Sequence, residues 1–120
     1  MDDFTRAYIE CALWSSTDDD GRPLDDGEHY LSAQAHTKME TDCASFQREN
    51  AELLAELAPA LPHDNAEQEA GHDFWLTRNG HGTGFWDRGL GDLGKRLSVA
   101  SEAYGEADLY LGDDGLIHHS

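Results

Sequence analysis

The stretch from His72 to Gly94, HDFWLTRNGHGTGFWDRGLGDLG, constrains the fold more than any other part of the chain. It holds two of the three Trp, two of the four Phe and six of the twelve Gly, set among two His, two Arg and three Asp. Neither a plain helix nor a plain strand mixes residue types in this way. Glycine serves where φ must be positive or where another part of the chain comes close. Trp75 and Trp86 can anchor a core through their rings and still present a hydrogen-bonding edge. The segment reads as a shaped corner, structural or functional, that ordinary helices must be fitted around.

The flanks supply those helices. Phe4, Tyr8 and Cys11, widened by Ile9, Ala12 and Leu13, predict an amphipathic helix over 3–15. Residues 16–28 are a loop whose Asp runs repel one another and work against a fixed conformation. From His29 to Ala58 the apolar positions Met39, Cys43, Phe46, Leu53 and Leu57 alternate by four and three, with Asn50 on the same seam. A seam Asn can specify pairing between helices of a dimer, but the run is short for a coiled coil, and one helix packed within a monomer is preferred. Pro59 and Pro62 are expected to end it. Asp64 and Glu67 have capping-box spacing for a third helix towards Trp75 or Arg78, stressed at Gly71. Leu90, Leu93, Leu97, Ala100 and Tyr104 predict a fourth helix, closed by Gly105. The ending ADLYLGDDGLIHH predicts a β-hairpin around Gly-Asp-Asp-Gly. The expected fold is one α+β domain over 1–120, mainly α, with about four helices and a short C-terminal hairpin.

Charge narrows the choice of partners. Asp and Glu number 25 against 8 Lys and Arg, a formal net charge of −17, and residues 1–70 alone hold 17 acids and 4 bases. Such a chain repels nucleic acid and anionic membrane and attracts basic surfaces. The apolar fraction of 38% implies a small core. The opening MDDFTRAYIE has neither the basic nor the apolar region of a signal peptide, and no apolar run is long enough for a membrane span, so a cytoplasmic protein is expected. Cys11 and Cys43 fall among apolar helix positions, as reduced buried thiols do.

Four chemistries compete for the motif. His72, Asp73, His81 and Asp87 are all possible ligands of a divalent ion, though no pair has the i, i+4 spacing of one helix face. His81, between glycines, could act as a base beside Asp87. The glycines of 80–94, with Arg78 and Arg88, could cradle an anion, but the chain has no Walker A lysine pattern. Alternatively, the glycines permit tight packing of Trp75, Phe85 and Trp86, while Arg78 and Arg88 pair with Asp73, Asp87 or Asp92. Structural explanations are favoured over metal and acid–base ones, and no cofactor is expected.

The segment His72–Gly94, above all HDFWLTRNGHG followed by GFWDRG, resembles a family of small acidic proteins encoded by phages and prophages. The opening FTRAYIECALWSSTDD and the ending ADLYLGDDGLI are similar to the same family. The resemblance implies a phage-type accessory protein in the host cytoplasm and assigns no activity to any residue. The motif residues it covers include His72, Asp73, Trp75, Arg78, Asn79, His81, Phe85, Trp86, Asp87 and Arg88.

Within that setting the acids acquire a role. Asp42, Glu49 and Glu56 repeat every seven residues with Glu52 beside them, and the loop adds Asp18, Asp19 and Asp20. On one helix face this makes a carboxylate row that could imitate nucleic acid in a basic groove. The leading expectation is a protein, monomer or homodimer, that binds a nucleic-acid-handling host protein such as a nuclease, a CRISPR component or a restriction component, with DNA mimicry or anti-defence inhibition as its possible mode of action. The alternatives are a small metal-dependent or His/Asp enzyme using 72–88, and a structural or assembly protein of a phage.

Overall fold

The computed structural model describes residues 1–60, 65–80, 84–85 and 88–120. Its first element, α1 (Asp3–Ser15), begins where the Asp2 carboxylate accepts the Thr5 N–H at 2.8 Å, which satisfies an amide that the first turn leaves open. The loop after it has a defined course despite its charge. The Asp18 carboxylate accepts the amides of Asp20 and Arg22, both at 2.9 Å, Thr17 pairs with Pro23, and Leu24 is buried. One acid spent on backbone amides, together with one apolar anchor, outweighs the repulsion.

The long helix expected over 29–58 is three pieces: α2 (Ala33–Glu49), α3 (Ala51–Ala55) and α4 (Leu57–Ala60). Ser32 caps α2 by accepting the Ala35 N–H, so residues 29–32 lie outside the helix. The break falls on Asn50, whose backbone N–H and side-chain Nδ2 both donate to the Phe46 carbonyl, at 3.0 and 2.9 Å. An Asn that bonds its own preceding turn competes with helix propagation. Asn50 is therefore a cap, not the register residue of a paired seam. Pro59 sits inside the one-turn α4, where its missing N–H costs nothing, so it is not what ends the long helix.

Next, α5 (Ala66–Arg78) runs unbroken through Gly71. That glycine marks a close approach, not a weak point: a Cβ there would lie 2.0 Å from the Phe4 carbonyl oxygen. The capping residue expected at Asp64 lies outside the described residues. Helix α6 (Asp92–Glu102) starts two residues later than its Leu pattern predicts. The chain closes with β1 (Leu109–Leu111) and β2 (Ile117–His119), antiparallel with Leu111 opposite Ile117. Ile117 also exchanges backbone hydrogen bonds with the segment entering α2: its N–H donates to Tyr30 and its carbonyl accepts from Ser32. A two-stranded hairpin needs such support to persist in water.

The packing order follows from one aromatic cluster. Phe46 stacks on Phe74 at 4.1 Å between centroids, Phe74 meets Tyr8 in a tilted contact and Tyr104 edge to face, and Phe4 and Phe85 close the ends. Burying each such ring contributes roughly 1.5–3 kcal/mol. The mainly-α fold with a C-terminal hairpin stands as the sequence implies, four of its helices being longer than two turns.

Candidate functional site

The inner half of the motif is structural. Asp73 is 2% exposed, and both its oxygens accept from the Arg88 guanidinium, through Nε and, at 3.0 Å, through Nη2. Arg88 Nη1 lies 3.2 Å from Glu69, so one cation sits between two carboxylates. Arg78, 5% exposed, spends its donors inward on Asp42, on the Tyr8 hydroxyl and on the carbonyls of Tyr104 and Gly105, at 2.8–3.0 Å. Trp75 donates its indole N–H to Ser15 at 2.8 Å. Asn79 donates to the Trp75 carbonyl and accepts the Ala107 amide, which ties α5 to the strand that follows. Gly84, at φ 126°, lets the chain pass so close to Thr77 that a Cβ would meet its hydroxyl at 2.3 Å, and Phe85 then enters the core fully buried.

These positions correct several expectations. Asp42 is not part of the surface row: it is 5% exposed and paired with Arg78, because a buried guanidinium needs a carboxylate and the two helices face each other there. Arg78 finds Asp42 and not Asp73 or Asp92, and its inward donors leave it unable to cradle an anion. Asp73 is neither a surface residue nor an open ligand, since Arg88 occupies both its oxygens. No three His, Cys, Asp or Glu side chains cluster for a metal among the described residues. His81, Trp86 and Asp87 lie outside the described residues. Glu49, Glu52 and Glu56 are exposed, with Glu49 accepting the Tyr104 hydroxyl at 3.0 Å, and Asp19 and Asp20 are also exposed.

The remaining motif face borders a cleft of 410 Å³ between α1 and α5. From α1 come Ala7, Glu10, Cys11 and Trp14, spaced as one helix stripe; from α5 come Gln68, Glu69 and His72, preceded by Asn65. Arg88 completes the wall. The helices run in the same sense, with Phe4 beside Ala66 and Ala70 at one end and Ser15 beside Asn79 at the other. Trp14 is 62% exposed, while His72 Nδ1 is buried 3.6 Å from Asp73 Oδ1, with no hydrogen-bond partner among the described residues. Sequence reading missed Glu10, Trp14 and Glu69. The usable signal was a large aromatic at the polar end of an α1 stripe, visible only once α5 supplies the opposite wall.

Titration properties mark the interior as inert. Burial pushes the Cys11 thiol up to about 12 and the Cys43 thiol higher still, and it raises the Tyr8 hydroxyl. Burial and the acceptor Glu49 push Tyr104 up to about 12. No helix among the described residues is long and apolar enough to cross a membrane. Comparison with protein-family models, with curated proteins and with solved structures finds no match.

Proposed function

We propose that this chain is a non-enzymatic, phage-type binding protein that acts in the host cytoplasm by covering the basic surface of a nucleic-acid-handling protein, such as a nuclease, a CRISPR component or a restriction component. One observation carries the reading. The two buried acids among the described residues, Asp42 and Asp73, are each neutralised by an arginine, so the whole charge of −17 is borne outside those pairs. The two buried arginine pairs take two of the eight basic residues, so the other 23 acids face six basic residues.

Glu49, Glu52 and Glu56 then form a shortened acidic row across the α2–α3 junction, supplemented by Asp19 and Asp20. Such a field steers association with a basic partner and weakens steeply with salt. The occupied groove would exclude nucleic acid by competition for the same Lys and Arg. The commitment of Asp73 to Arg88 counts against the metal-dependent alternative.

The test is capture from host lysate at low salt, release at high salt, and a competition assay of the captured protein against duplex DNA or RNA. The expected result is a captured protein whose nucleic-acid binding this chain blocks, with the block lost in the triple variant Glu49→Lys, Glu52→Lys, Glu56→Lys. Undiminished blocking by the triple variant, or no salt-released partner, overturns the reading.

A further inference from the structure

We infer that the α1–α5 cleft is a receptor for one arginine side chain of the partner protein. The inference rests on the proposed binding of a basic protein surface and adds to it a specific socket, distinct from the diffuse row at Glu49, Glu52 and Glu56.

Three features fit that occupant. The first is an aromatic wall: Trp14 presents a 62% exposed indole at the cleft, where apolar surface is otherwise costly to leave in water. A guanidinium stacks on an indole face through its flat π-system and the ring quadrupole. The second is charge. Arg88 is held between Asp73 and Glu69, and Glu10 lines the same cleft, so three carboxylates face one cation and the site retains a net negative field. The third is size. At 410 Å³ the cleft lies near the small end of the roughly 300–1,000 Å³ range of ligand sites, which suits a single extended side chain better than a folded segment. Its aliphatic stem would lie along Ala7 and Cys11, with the head towards Glu10, Glu69 and His72, whose Nδ1 makes no hydrogen bond among the described residues and lies 3.6 Å from Asp73. Trp and Arg are both among the residue types enriched at interface hot spots.

The experiment follows the Trp14 indole and His72 ring signals by NMR while the full-length protein is titrated with the peptide N-acetyl-Gly-Arg-Gly-amide. Its citrulline counterpart has the same shape without the charge, and its lysine counterpart has the charge without the plane. Saturable shifts at both reporters are expected with arginine, weaker shifts with lysine, and none with citrulline. Trp14→Leu, read at His72, and Glu10→Gln, read at Trp14, should each weaken the arginine peptide about fivefold; both positions are on the surface, so folding is retained. Equal responses to arginine and citrulline, or an unchanged affinity in Trp14→Leu, overturn the inference.

The triple variant at Glu49, Glu52 and Glu56 separates this idea from the functional reading. It should keep the arginine response while losing the partner. A captured partner with no arginine response refutes the socket alone. An arginine response with no captured partner upholds the socket and refutes the functional reading.

Discussion

Replacing Gly71 by Ala tests the packing on which both helices of the cleft depend. In isolation the change favours the helix, since Ala is better than Gly in a helix interior by about 1 kcal/mol. In this fold the new Cβ would stand 2.0 Å from the Phe4 carbonyl oxygen and 2.8 Å from its carbon. Both are backbone atoms and cannot rotate away. Restoring ordinary contact requires α1 to retreat by roughly 1.4 Å, and a gap of that order forfeits about half of the dispersion energy between facing side chains. The side chains at stake are Phe4, Tyr8, Phe74 and Trp75, all of which meet across this interface. Overpacking of this kind costs typically 1–3 kcal/mol and sometimes more. Placed at or above the upper end because the obstacle is backbone, and offset by the propensity gain, it leaves a net loss of about 2–3 kcal/mol. For a chain of this size that lowers Tm by roughly 10 °C. Urea denaturation followed by circular dichroism reads it directly. A Gly71→Ala protein as stable as the parent would show that α1 and α5 do not meet as closely as described, and the cleft between them would lose its geometric basis.

Three further outcomes are expected. Arg78→Met should lose up to about 3–5 kcal/mol by leaving the buried Asp42 with only its exposed partner Lys38, 2.9 Å away, and adding Asp42→Leu should recover much of it; chemical denaturation of the single and double variants checks this, and an additive double variant would contradict it. Cys11 and Cys43 should resist iodoacetamide in the native protein at neutral pH and label fully in denaturant, since burial keeps both thiols protonated; rapid native labelling would contradict the buried core. Burial, followed by the Arg78 charge, holds the His119 imidazole below its ordinary value. The unfolded chain therefore takes up that proton first as pH falls through about 6.5, so His119's contribution is fully present above that pH and declines below it until the folded imidazole also titrates. His119→Leu should flatten this part of the stability profile, and an unchanged slope in denaturation between about pH 7 and 5 would refute the assignment.

Much of the architecture was legible in the residues. The stripe Phe4–Tyr8–Cys11, the run from Leu90 to Tyr104 and the Gly-Asp-Asp-Gly turn each encode a local period or a turn, and each element formed close to where its pattern lies. The continuity of the middle helix was misread, because an apolar seam passes over Asn50 without revealing that its amide would close the preceding turn. The reading of the motif as a packing corner is consistent with the inward course of Trp75, Arg78 and Phe85.

The chain by itself determined the first and last helices, the hairpin and the charge of −17, because periodicity, turn chemistry and charge are local or additive properties. Only the tertiary structure decided which charges count. Asp42 and Arg78 are 36 residues apart, and Asp73 and Arg88 are 15 apart. No spacing rule selects those pairs; they form because the packed helices bring each guanidinium to a buried carboxylate, whereas the Lys38–Asp42 contact one turn apart is the kind that spacing does encode. The cleft is the same kind of result, since the Trp14 stripe and the His72 stripe become one site only when Gly71 lets α1 and α5 touch.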